Sequence, residues 1–123
     1  MNLTINEKTY NLTFGLAFLE FVDSHSGMKM EVEGQEVNTG MAAMGMLKSK
    51  LSTYSPTALV AVVKGATTTE RQKPSNKDLD VWLDELIGDG NDVSDEYYNT
   101  YDEIVSEMGK SPKVKAASKG ARS

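Results

Sequence analysis

The residues nearest to a recognisable chemistry are Asp89-Gly-Asn-Asp-Val-Ser-Asp-Glu96, whose side-chain oxygens suggest a calcium loop. The spacing argues against one. A helix-loop-helix calcium site places oxygen ligands at alternate positions, glycine sixth and glutamate twelfth, whereas here glycine is second and valine fifth. The stretch is better read as a turn with Ser94 capping the helix that follows. His25 is the only histidine, and between Ser24 and Ser26 it stands outside any Ser-His-Asp or Cys-His grouping, so it receives no role. Cysteine is absent, which excludes disulfides and thiolate metal sites. No glycine-rich phosphate loop, metal constellation or activated nucleophile can be assembled. The expected protein is not an enzyme and needs no cofactor or metal.

What remains are side chains suited to binding. Met28, Met30, Met41, Met44 and Met46 enrich the first half in methionine, a flexible and polarizable side chain that fills irregular core space or grips helical partners. Tyr97, Tyr98 and Tyr101 lie within five residues, and each offers large contact area at low entropy cost. Met41, Met44, Tyr97, Tyr98 and Tyr101 are therefore the candidate partner-binding residues, with core packing as the other use of each.

The elements that must position them follow from hydrophobic period. Leu3 to Val22 switches from a period of two to one of about 3.6 without a linker. Leu3 and Ile5 alternate with Thr4, Asn6-Glu7-Lys8 can turn, and Tyr10, Leu12 and Phe14 alternate again. From Gly15, Phe18, Phe21 and Val22 fall on one side of a helix with Leu19 on its shoulder. A lone hairpin is marginal in water, so its apolar face must rest on something, and the adjoining helix is nearest. A loop follows, with a short strand around Met30 to Val37. Gly40 to Tyr54 reads as a second helix. Ser55-Pro56 opens a third, apolar all round from Ala58 to Val63 and therefore expected to be covered on several sides, with Lys64 and Gly65 bringing the apolar run to its end. Ser75 or Asn76 caps a fourth, where Leu79, Trp82, Leu83, Leu86 and Ile87 form the clearest stripe. A fifth carries Tyr97, Tyr98, Tyr101, Ile104, Val105 and Met108 on one face. The fold class is α+β, mainly α: an N-terminal β-hairpin packed on a bundle of about five helices. Residues 1–109 are expected to form one domain, and 110–123 a disordered, flexible basic tail, because too little apolar content follows Gly109 and Pro112.

Charge is distributed unevenly within the net −5. Asp78 to Glu107 contains eleven acidic residues and no base, while Lys110 to the end contains five bases and no acid. An acidic body repels phosphates, so nucleic acid is not an expected partner. No apolar run approaches the roughly 20 residues of a membrane span, and there is no signal peptide, so neither membrane nor secretion is expected and the cytoplasm is the default.

The opening LTINEKTYNLTFGLAFLEFVD resembles the N-terminal segment of the tail assembly chaperones of bacteriophages with long noncontractile tails, of the type infecting Gram-positive hosts. Phe14, Gly15, Leu16, Phe18, Leu19, Glu20 and Asp23 carry that resemblance. It continues through the helix around Met44, the apolar Leu59 to Val63, and Lys73-Pro74-Ser75 before two acidic helices, covering roughly Met1 to Met108. The resemblance implies a protein of the host cytoplasm, outside the mature virion, that binds the tape measure protein, keeps it soluble and helps recruit tail tube subunits. It also implies a programmed frameshift whose longer product contacts the tail tube protein, this chain being the short product. Homo-oligomers are possible through the Met-rich or tyrosine-rich face. Two alternatives are a small virion structural subunit of tail or connector, and an acidic nucleic-acid mimic or regulator resting on Asp78 to Glu107.

Overall fold

A computed structural model describes residues 1–26, 29–32, 35–38 and 43–119. β1 (Asn2–Ile5) pairs antiparallel with β2 (Lys8–Asn11), Leu3 opposite Tyr10 and Ile5 opposite Lys8. The connection is two residues long, and both take positive φ, 49° at Asn6 and 69° at Glu7. That is the twist-matched hairpin turn for which asparagine is favoured at the first position. Lys8, expected in the turn, begins β2 instead. Leu3, Ile5, Tyr10 and Leu12 are buried on one face. Thr4 and Thr9 share a hydrogen bond on the other, at 3.0 Å. β1 lies against α4 (Asn76–Ile87), where sequence adjacency pointed to the helix that follows the hairpin.

Thr13 N–H then donates to the carbonyl of Ala66 at 2.9 Å, stitching the exit of the hairpin to the end of α3 (Pro56–Ala66). α1 (Leu16–Ser26) buries Phe18 and Val22 completely, half-buries Leu19 and Phe21, and leaves Leu16 exposed. A second antiparallel hairpin, β3 (Lys29–Val32) with β4 (Gln35–Asn38), occupies the region where one strand was expected. α2 (Ala43–Leu51) buries Ala43, Met44, Leu47 and Leu51. It stops short of Tyr54, which adopts φ 57° and so turns the chain into α3.

α3 runs past the apolar stretch to Ala66, and Gly65 is where α1 approaches it. A Cβ there would lie 2.9 Å from the Phe18 ring and 3.0 Å from that of Phe21. The fourth helix starts as its sequence dictates: the Ser75 hydroxyl accepts from Asp78 N–H at 3.0 Å, and the Asp78 carboxylate accepts from Ser75 N–H at 3.2 Å. α5 (Asp95–Gly109) is capped by Ser94, whose hydroxyl also donates to the Leu86 carbonyl at 2.6 Å and so joins the two acidic helices.

The expectation of a disordered tail from residue 110 is corrected by a sixth helix, α6 (Pro112–Ser118). Pro112 occupies its first turn, Ser111 caps it, and Val114 is wholly buried. One bulky apolar side chain in a short basic segment suffices because α6 packs against α1, α2 and α5 and Val114 is enclosed there. The Ser111 hydroxyl fastens the segment by donating to the Phe14 carbonyl at 2.6 Å.

Candidate functional site

Among the described residues no group of three or more His, Cys, Asp and Glu is placed to hold a metal. Every buried polar side-chain atom there has a hydrogen-bond partner. Residues 88–93 form an exposed turn, and Ser94 caps α5, as the sequence reading of the calcium-like stretch expected. His25 is not in a loop but in the last turn of α1. Its ring stacks on Phe21 with centroids 4.0 Å apart, and Nδ1 lies 2.8 Å from the Phe21 carbonyl.

The tyrosines form a cluster whose centre is Tyr54. Tyr97 and Tyr101 are buried, and their hydroxyls donate to the carbonyls of Tyr54 at 2.7 Å and Ser55 at 2.9 Å. α5 thereby satisfies the Tyr54 carbonyl where the chain turns between α2 and α3, and adds a second donor to the Ser55 carbonyl, which also accepts from Leu59 N–H at 3.1 Å. The Tyr54 hydroxyl in turn donates to Asp102 Oδ1 at 2.7 Å, which, ahead of burial, raises its pKa. Burial raises those of Tyr97 and Tyr101. Tyr98 is 39% exposed and meets Tyr54 edge-on, with centroids 5.0 Å apart. Of the five candidate partner-binding residues, Met44, Tyr97 and Tyr101 thus belong to the core, Tyr98 reaches the surface, and Met41 lies outside the described residues. Tyr54 was not among the candidates, and only its three-dimensional position gathers the other three around it.

The sequence reading also missed an open face on α3. Leu59, Val62, Val63 and Ala66 are buried, yet Val60 and Ala61 are only half-buried. They floor a groove of about 240 Å³ walled by Phe21 and His25 of α1 and by Leu47 and Lys50 of α2. A second hollow of about 270 Å³ shares Phe21 and Lys64 with the first and continues past the end of α3 to Lys73 and Pro74. The signal was present in the helix itself: apolar residues all round it require cover on every side. The described residues leave one side uncovered.

Among the described residues no helix is long and apolar enough to cross a membrane. Comparison with protein-family models matches residues 2–121 to the family described as phage tail assembly chaperone protein, TAC. Comparisons with curated proteins and with solved structures give no match. The chain belongs to the phage tail assembly chaperone family, and its role is therefore one in tail assembly.

Proposed function

We propose that this protein binds the tape measure protein of a phage tail, keeps it soluble, and helps recruit tail tube subunits around it. It acts in the host cytoplasm and is left out of the mature virion. Family membership over residues 2–121 supports a role in tail assembly. The observation that carries the finer reading is the half-exposed Val60–Ala61 face of an otherwise buried helix, an apolar strip suited to packing a client helix. Tyr98 offers a second exposed contact, held in place by Tyr54 and Tyr97, which in turn pack on Tyr101. A longer, frameshifted product sharing this chain supplies the contact to the tube protein.

Co-expression tests the reading. Fragments of the tape measure protein encoded by the same phage should move from the insoluble to the soluble fraction with the chaperone and co-purify with it. Fragments that remain equally insoluble with and without it would refute client binding. Finding the chain as a stoichiometric component of purified particles would favour a virion structural subunit instead.

A further inference from the structure

From the charge around the open face of α3 we infer what it binds: an α-helical client segment whose apolar stripe is flanked by carboxylates. Thr57, Ala61 and Lys64 recur at i, i+4 and i+7, so the face runs about 10 Å along the helix axis, roughly two turns of a docked helix. Its floor is Val60 and Ala61, and its wall includes the Phe21 ring, braced by the stacked His25 on one side and by the close approach of Gly65 on the other. Among the described residues, the charged side chains that line this groove and its continuation are Lys50, Lys64 and Lys73, and no carboxylate of those residues lines either hollow.

That is contrary to the chain as a whole, which carries 18 acidic against 13 basic side chains. None of the three lysines forms an ion pair within the described residues. An apolar trough with cations on its rim and an acidic body behind it selects by charge in two ways. It attracts carboxylates placed beside an apolar stripe, and the acidic excess elsewhere repels acidic segments that do not seat against the lysines. The hollow between Lys8–Tyr10 and Glu70–Gln72 has no such bias, because Glu70 stands there among Lys8 and Arg71.

The inference rests on the proposed client binding, and the experiment separates the two. The full chain and its K50E/K64E variant are titrated by fluorescence anisotropy against two probes. One is a soluble helical fragment of the tape measure protein; the other is a labelled amphipathic peptide with glutamates flanking a leucine stripe. Sedimentation of each chain is measured alongside. The expected result is binding of both probes, weakened about tenfold or more by the double charge reversal, and partly restored when the peptide's glutamates become lysines. The variant should still unfold in a single cooperative transition, with a midpoint lowered by only a few degrees, since Lys50 and Lys64 lie in the last turns of α2 and α3, where a cation is favoured over a carboxylate.

If the tape measure fragment binds wild type and variant equally, the groove assignment falls while the proposed function stands. Should the peptide bind in the charge-dependent way and every tape measure fragment fail, the groove assignment stands and its client is another protein. If instead the reversal changes only sedimentation, the occupant is a second copy of this chain, and the inference is overturned.

Discussion

The side-chain amide of Asn6 donates to Oδ1 of Asp78 at 2.8 Å, joining the tip of the first hairpin to the first turn of α4 across 72 positions of sequence. Asp78 is at once a partner of the hairpin and half of the capping box with Ser75. A single carboxylate thus sets both where α4 begins and where the hairpin lies on it.

Those hydrogen bonds, that from Asn6 foremost and then those with Ser75, hold the Asp78 carboxyl below its ordinary value. A depressed folded value favours the fold at pH above about 4, and the support fades as the pH falls through that lower value. Asn6→Gly retains the positive φ and removes the donor. In thermal melts between about pH 7 and pH 3, wild type should therefore lose more of its midpoint than N6G. Parallel curves would show that the bond carries no acid dependence.

Gly65→Ala should destabilise by about 1–3 kcal/mol even though alanine is the better helix former. The new methyl has to displace the Phe18 ring, 2.9 Å away and fully buried. Urea unfolding measures the effect, and a gain in stability would mean that α1 can move off α3 freely.

Tyr101→Phe removes the hydroxyl that serves the Ser55 carbonyl and should cost about 1–2 kcal/mol at neutral pH. Burial raises the Tyr101 pKa. The protonated phenol therefore supports the fold fully below about pH 10, the unfolded value, and that support is lost as the pH rises further. Alkaline denaturation followed by circular dichroism should accordingly be steeper above about pH 10 in wild type than in Y101F. Equal slopes would place the alkaline dependence elsewhere.

Val114→Ala should cost about 2 kcal/mol for a side chain that is fully enclosed, and Val114→Asp considerably more. Ser111→Ala, which loses both the cap and the bond to Phe14, should cost about 1–2 kcal/mol. A chain whose midpoint is indifferent to all three substitutions would have the flexible tail that its composition suggests.

Much of this fold is legible in the residues. Leu3, Ile5 and Tyr10 alternate because one face of the hairpin is buried, and Ser75 with Asp78 writes the start of α4 in local chemistry. Val114 shows where reading stops: nothing in PKVKAAS announces that its one bulky apolar side chain is enclosed where α6 meets three other helices. Tyr97 and Tyr101 show the same limit from the other side. Their periodicity placed them on one face of α5, but the carbonyls of Tyr54 and Ser55 that they serve are non-local and leave no mark in the local pattern. The open face of α3 was half legible, since an all-apolar helix declares a need for cover without saying what will provide it.

The bond from Ser111 to Phe14 spans 97 positions, and Val114 completes a layer begun by α1. Such a contact cannot form until residue 111 has left the ribosome, long after its partner at residue 14. α1 and α2 must therefore wait, made but incompletely covered, until α6 emerges. A shift of reading frame upstream of codon 111 would replace the covering helix, so two products of one message would share every earlier element and still differ in how firmly those elements are closed.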